Sequence, residues 1–592
     1  MQEDVGSAPV RPHLAAGVAG DASSPSALAR LNAAVVQLKA ISAQAHLQRA
    51  IRALADEDPQ TAAESALKVL QQDDHNGYGW YVLAIARDKA GDFKASLQCY
   101  EAAMQLLPQQ AEIANDLGRL AYRMGMKPIA EKLFLRYLEH RPDSLEAANN
   151  LACVMRDQNR YAEAIEVLRG AIQGAPDNAL LWNTLATVLS EQGEFGGAIT
   201  FFLEALRCDP ALFRARYNLG NARLALGDID QALEDNTAAL EQVAAADERA
   251  MMGLARSTIL LVKGEIGPGW DAYEARLDPQ YADVTNFMID RPRWTPEAHL
   301  KGRSLLLMGE QGLGDEVLFA NVVPDVLEAL GPDGKLYLAV EKRLVPLFQR
   351  SFPTAVVGAH ATYRVDATTV RGAPFVKDQQ AIDLWSPLGS LLRRFRRNVS
   401  DFPPRPAFLR ADPARVAHWR KVLAAAGEGP KVGLLWKSLR LEGARLRYFS
   451  PFEQWAPVLS APGVALVNLQ YGDCAEEIAE AKARLGVDMW TPPGIDLKDD
   501  LDEVAALSCA LDLVIGPANA TSNIAAACGA PVWLLSTPAA WPRLGTDRYP
   551  WYPTVRTFLP PAFNQWDPAL RDMADSLAEW ASAQGTEGAA RG

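Results

Sequence analysis

The sequence predicts an α-solenoid followed by an α/β region built as two parallel-sheet domains. Three observations carry that prediction. A Leu followed by a small residue recurs about every 34 residues between Leu83 and Leu219. Beyond about residue 300, short apolar runs alternate with helical patterns, as strand-helix-strand units do. One such run, Leu305-Leu306-Leu307-Met308, ends in Gly309-Glu310-Gln311-Gly312-Leu313-Gly314-Asp315-Glu316, which reads as strand, tight loop and helix start.

The composition is that of a globular protein, 49% hydrophobic and 22% charged over 592 residues. The net charge of -13 disfavours a nucleic-acid partner. With no run of 18 apolar residues, no membrane span is expected. The acidic start Met1-Gln2-Glu3-Asp4 lacks the apolar segment of a secretory signal and argues for a cytoplasmic protein. The six cysteines are scattered without a CxxC pair, so free thiols in a reducing compartment are expected rather than disulfides or zinc. Residues 1–27 are rich in Ala, Gly, Ser and Pro and are expected to be disordered. A helical lead-in follows, from Leu28 to about Leu54.

The repeat aligns on Leu83-Ala84, Leu117-Gly118, Leu151-Ala152, Leu185-Ala186 and Leu219-Gly220. A turn residue follows each pair at Gly91, Gly125, Asn159, Gly193 and Gly227. Small residues come next, at Ser96, Ala130, Ala164, Ala198 and Ala232. Pro108, Pro142, Pro176 and Pro210 close the first four units, since proline cannot continue a helix. This is the tetratricopeptide (TPR) pattern of paired antiparallel helices. Residues 60–76 and 246–277 read as degenerate flanking units that cap the stack. The lead-in and solenoid together span 28–277, and the concave face is expected to bind a protein or peptide segment.

The repeat dissolves into Pro-rich text around 278–300, read as a junction. Strands are expected at Leu305–Met308, Leu336–Val340, Val432–Trp436, Val464–Leu469, Leu511–Ile515 and Val532–Leu535. Two domains fit this span, 301–400 and 401–592, the second including the tail. The break between them falls in the Arg- and Pro-rich stretch Phe395–Pro413.

Three strand ends offer chemistry. In the first, Gly312 and Gly314 would let the backbone turn sharply and a ligand come close, with Asp315 and Glu316 at the helix start. Pro324 would kink that helix. In the second, Lys437 ends a strand, and Lys437, Arg440, Arg445 and Arg447 outnumber the one acid, Glu442. Such a cluster suits a phosphate or carboxylate, although a solvated basic loop has the same composition. The third runs from Gly516-Pro517 into Ala518-Asn519-Ala520-Thr521-Ser522-Asn523. Free N–H groups and the Thr521 and Ser522 hydroxyls would make an anion site there; capping by Asn519 or Thr521 is the plainer alternative. None of the Asp-x-Asp spacings ends a strand and no HExxH occurs, so no metal site is expected.

These stretches resemble the heptosyltransferase-like glycosyltransferases (family 9). The likeness rests on the Gly312-Leu313-Gly314-Asp315 loop, the Lys437 and Leu469-Gln470 strand ends, and the Ala518–Gly529 segment before Pro531-Val532-Trp533. It covers about residues 300–560 and implies a GT-B fold, two Rossmann-like subdomains around a cleft. With TPR units ahead of it, the chain looks most like the bacterial flagellin glycosyltransferases. Those are thought to move a nonulosonic acid such as pseudaminic acid from a CMP donor to Ser/Thr of flagellin. Arg548-Tyr549-Pro550-Trp551-Tyr552-Pro553 resembles a tail signature of these fusions.

The resemblance implies Asp315 as general base, with Glu316 as its alternative. It also implies Lys437 as a donor-phosphate contact; on the chemistry of the residues themselves, the Asn519–Asn523 helix start would help stabilise the departing phosphate, Gln470 would hold the nucleotide, and Arg440, Arg445 or Arg447 would pair with the carboxylate of a nonulosonic donor. The cofactor is then none beyond a nucleotide sugar. The family's usual Asp-Thr and later His are replaced here by Ala518-Asn519 and Asn523, which removes a family anion contact. A lipid-linked or polysaccharide acceptor, or a non-catalytic adaptor, fits the same text.

Overall fold

The structure is a computed structural model that describes residues 25–365, 368–438 and 448–591. The stretch expected to be disordered lies outside them as far as residue 24, and so do Arg440, Arg445 and Arg447. The chain divides into two compact units, Met1–Gln158 and Asn159–Gly592.

The first unit is helical throughout its described part. It holds α1 (Pro25–Ala55), α2 (Pro59–Gln72), α3 (Gly77–Lys89), α4 (Phe93–Leu106), α5 (Ala111–Arg123), α6 (Lys127–His140) and α7 (Leu145–Asp157). The second unit continues the repeat with α8 (Tyr161–Gly174), α9 (Ala179–Gln192), α10 (Phe195–Cys208), α11 (Phe213–Ala225) and α12 (Ile229–Gln242). It closes the helical part with α13 (Ala246–Lys263) and α14 (Ile266–Tyr273).

The repeat positions do the work their spacing assigns. Gly91, Gly125, Asn159, Gly193 and Gly227 all take a left-handed backbone, with φ between 61° and 88°, which ends one helix and starts the next. A Cβ at Gly118 would stand 2.8 Å from the Phe134 ring, so the small residue lets α5 and α6 cross. Ser96, also at a crossing, donates its hydroxyl to Ala84 O at 2.8 Å.

The α/β part opens with β1 (Thr285–Phe287), β2 (Ser304–Met308), α15 (Leu313–Phe319), α16 (Val323–Leu330), β3 (Lys335–Val340), α17 (Val345–Ser351) and β4 (Val356–Ala359). Then come β5 (Ala361–Val365), β6 (Thr368–Gly372), β7 (Leu384–Pro387), α18 (Leu392–Phe395) and α19 (Pro413–Val422). The last stretch holds β8 (Lys431–Leu434), α20 (Ala456–Leu459), β9 (Ala465–Asn468), α21 (Ala475–Leu485), α22 (Leu501–Ala510), β10 (Leu513–Pro517), α23 (Ala520–Ala527), β11 (Val532–Leu535), β12 (Val555–Phe558) and α24 (Trp566–Arg591).

Among the described residues two parallel sheets form, ordered β4-β3-β2-β7 and β12-β11-β10-β8-β9. A small third sheet, β1-β6-β5, contains the antiparallel pair β5 and β6. The six strands read from sequence are β2, β3, β8, β9, β10 and β11; β1, β4 to β7 and β12 were not legible. β7, Leu-Trp-Ser-Pro, is short and ends in proline, so it carries no strand pattern of its own and is recruited by pairing with β2.

Two local expectations are corrected. Neither Gly312 nor Gly314 has positive φ; the left-handed residue in that loop is Gln311, at φ 58°. Pro324 does not kink a continuous helix, because α15 stops at Phe319 and Pro324 sits in the first turn of α16, where a missing N–H is harmless. The last solenoid helices pack into the α/β part. Trp270 of α14 is 1% exposed, meets Phe319, Trp541 and Trp551 edge-on, and donates its indole N–H to Arg396 O. All six cysteines are free thiols, and no described helix is long and apolar enough to cross a membrane.

Candidate functional site

Parallel sheets of this kind take ligands beyond the carboxyl ends of their strands, where the strand order reverses. In the first sheet that point lies between β2 and β7, and it is filled. Glu310, just past β2, accepts from Gly389 N at 2.7 Å and pairs through both oxygens with Arg276 Nε and Nη2, at 2.8 and 2.7 Å. Arg276 comes from the turn after α14. Both side chains are almost fully buried, so the end of the solenoid plugs the crevice of the first sheet.

The open space lies next to it. A cavity of about 760 Å³ is walled on one side by solenoid residues such as Thr187, Phe195, Phe202, Asn218 and Asn221. Opposite stand Asp315 and Leu318 of α15, Pro517 and Ala518 at the end of β10, Asn523 of α23, Leu535 to Thr537 at the end of β11, and Trp541, Tyr549 and Phe563. The starts of α15 and α23 meet closely: a Cβ on Gly314 would lie 3.4 Å from Asn523 Nδ2. Gly314 thus serves a helix-to-helix approach.

Asp315 accepts the Gly312 N–H at 3.1 Å, which closes the loop on itself. Burial raises its carboxyl to a pKa of about 6, and the nearby Glu310 and Glu316 charges push the same way against the Gly312 hydrogen bond. A carboxylate titrating there, at the wall of a cavity, has the properties of a general base.

Glu316 does not share that position. Its carboxylate is 2% exposed, accepts Glu341 N at 2.8 Å and contacts His360 Nε2 at 2.9 Å, with Arg371 at 3.8 Å. It is not among the described residues that line the cavity, and it ties α15 to the chain just after β3 and to His360 between β4 and β5.

The other proposed donor contacts are also redistributed. Lys437 is bound by Glu477, at 2.7 and 2.6 Å to its two oxygens, and does not line the cavity among the described residues. Gln470 is 1% exposed; its Oε1 accepts Trp436 N and Lys437 N, both at 2.9 Å. It therefore fixes the chain after β8 and has no surface for a nucleotide. Asn519 caps α23 by accepting Ser522 N at 3.2 Å. The Ser522 hydroxyl answers by accepting Asn519 N at 2.9 Å and donating to Pro517 O at 2.9 Å. Thr521 is buried. Of the Asn519–Asn523 stretch, Asn523 alone reaches the cavity among the described residues, so what stands beside Asp315 there is Asn523 and not Lys437. Tyr549 lines the cavity and is not among the site residues the sequence singles out. The tail signature was the available signal for Tyr549; its three aromatic residues Tyr549, Trp551 and Tyr552 are all nearly buried.

Residues 81–144, 115–179, 155–212 and 201–234 match models described as tetratricopeptide repeat. Over 581 residues the chain is 50% identical to Protein FlbA of Caulobacter vibrioides, covering 98% of this chain and 97% of that protein. This chain belongs to the FlbA family. Identity of that order over nearly both full lengths means that the FlbA family carries the α/β part as well as the repeats. Among solved structures, the chain is similar to a tetratricopeptide repeat protein from Parabacteroides merdae, at 14% identity, 39% of this chain, 91% of that chain and a TM-score of 0.36. It is also similar to Pseudomonas aeruginosa pilF, at 16% identity, 34% and 91% coverage and a TM-score of 0.30.

Proposed function

We propose that this FlbA-family chain is a metal-independent GT-B glycosyltransferase that modifies a flagellar protein. In this reading it moves a nonulosonic, pseudaminic-type sugar from a CMP-linked donor to Ser or Thr of flagellin. The observation that carries the reading is the shared cavity: the Asp315 carboxylate and the inner residues of a repeat solenoid line one space of about 760 Å³. A solenoid that holds a polypeptide would present its hydroxyl directly to a base of pKa about 6. Asp315 would take the hydroxyl proton as the oxygen attacks the anomeric carbon and the bond to the donor phosphate breaks. Holding the acceptor beside the cleft raises its local concentration. The two parallel sheets and the resemblance of the Gly312–Asp315 loop support the GT-B assignment.

The test is intact-mass analysis of a flagellin co-expressed with the chain or with Asp315→Asn. The expected result is an added sugar mass with the wild type and a loss of at least a hundredfold with the variant. Full activity of the variant would remove Asp315 from its role.

A second reading, a non-catalytic adaptor, draws on Lys437, whose ammonium is held by Glu477 and is not offered to a donor phosphate. Failure of the wild type to transfer any sugar, with flagellin still bound, would favour it.

A further inference from the structure

The tail signature contributes one residue to the cavity wall, Tyr549, and a second that lies behind it. Tyr552 is 2% exposed and is sandwiched between Phe408 and Tyr549, stacked at 5.8 and 5.9 Å with planes 12° and 7° apart. Its hydroxyl contacts Asn523 Oδ1 at 3.0 Å, while Asn523 Nδ2 donates to Asn519 O at 2.9 Å. Burial holds the Tyr552 phenol protonated well beyond its ordinary range. The hydroxyl is therefore available as a donor to Asn523 Oδ1.

An amide can flip, exchanging its oxygen and nitrogen. Here both ends are specified, since the oxygen faces a phenol donor and the nitrogen faces a carbonyl. One N–H of Asn523 Nδ2 is used on Asn519 O; the amide carries a second, and Asn523 lines the cavity. We propose that Tyr552 is a positioning residue: it fixes the Asn523 amide so that this second N–H is offered to a phosphate oxygen of the ligand in the cavity. The proposal rests on reading that cavity as the donor site, and it assigns the tail signature a role in binding as well as in packing.

The experiment is calorimetric titration of the full chain with CMP and, separately, with cytidine, which lacks the phosphate. Asn523→Ala and Tyr552→Phe are each expected to weaken CMP binding about tenfold and to leave cytidine binding unchanged. The double variant should bind CMP no more weakly than Asn523→Ala alone, because Tyr552 acts through Asn523. Wild-type affinity in either single variant, fully additive losses, equal losses with cytidine, or no CMP binding by the wild type would each overturn the inference. Should Tyr552→Phe not fold, Asn523→Ser carries the test: it keeps an acceptor for the phenol, lacks the second N–H, and should still lose about tenfold. CMP binding with this pattern but no sugar transfer would sink the transferase reading and leave the inference standing.

Discussion

Arg276 and Glu310 form a two-point ion pair with side chains 1% and 3% exposed. Arg276 also donates to Tyr273 O, Glu274 and Ser390, and its guanidinium lies 4.0 Å from the centre of the Tyr273 ring. The pair joins the last solenoid turn to the first loop of the α/β part. Arg276→Ala leaves a carboxylate buried without its partner, a change that costs about 3–5 kcal/mol. The expected result is an earlier urea midpoint with the slope unchanged. Glu310→Gln added to Arg276→Met should recover part of the loss.

Asp315 predicts a pH dependence in two directions. Its folded pKa of about 6 lies above the unfolded value, so the ionised form is disfavoured by folding and the fold is less stable above about pH 6 than below pH 4. Asp315→Asn should raise stability at pH 7.5 by on the order of 1–2 kcal/mol, a figure discounted for the partial exposure of the carboxylate, with the gain vanishing near pH 4. Thermal melts at both pH values check this. In the transferase reading, kcat/KM rises through an apparent pKa near 6 because the base must be ionised, and that limb is absent in Asp315→Asn.

Lys437 offers a test of the donor contact. Glu477→Gln removes the charge that holds the ammonium. If Lys437 contributes to a phosphate site, CMP binding tightens about threefold to tenfold in Glu477→Gln and the gain disappears when Lys437→Ala is added. Unchanged affinity in Glu477→Gln would retire Lys437 as a donor contact.

Gln470 is predicted to be structural. Gln470→Ala leaves the N–H groups of Trp436 and Lys437 without their acceptor, at a cost of about 1–3 kcal/mol. A lower melting temperature is the expected readout, since Gln470 is closed off from ligand by its own hydrogen bonds.

Gly309 tests the inward role of Glu316. A Cβ there would lie 2.6 Å from the Glu316 carboxyl carbon. Gly309→Ala should displace the carboxylate from His360 and Glu341 N and destabilise the protein by about 1–3 kcal/mol, seen as a lower melting temperature.

The local code of this protein lies in its sequence. Left-handed turns at Gly91, Gly125, Asn159, Gly193 and Gly227, small residues at the crossings, and six apolar strands were all readable, because each depends on neighbours within one or two turns of chain. The role of each candidate site residue was less so. Asp315 and Glu316 are adjacent and chemically alike, yet one lines a cavity and the other meets His360, 44 residues away. Lys437 was readable as a strand-end cation, while its partner Glu477 was not. The Trp270 cluster and the Arg276–Glu310 pair, which seat the solenoid's end on the first sheet, are equally silent in the sequence. The repeat period and the strand-helix alternation thus determined the kinds of structure present. Tertiary structure alone decided which polar groups were consumed by packing and which were left facing open space, because hydrogen bonds and ion pairs are satisfied by proximity in space and not by spacing along the chain.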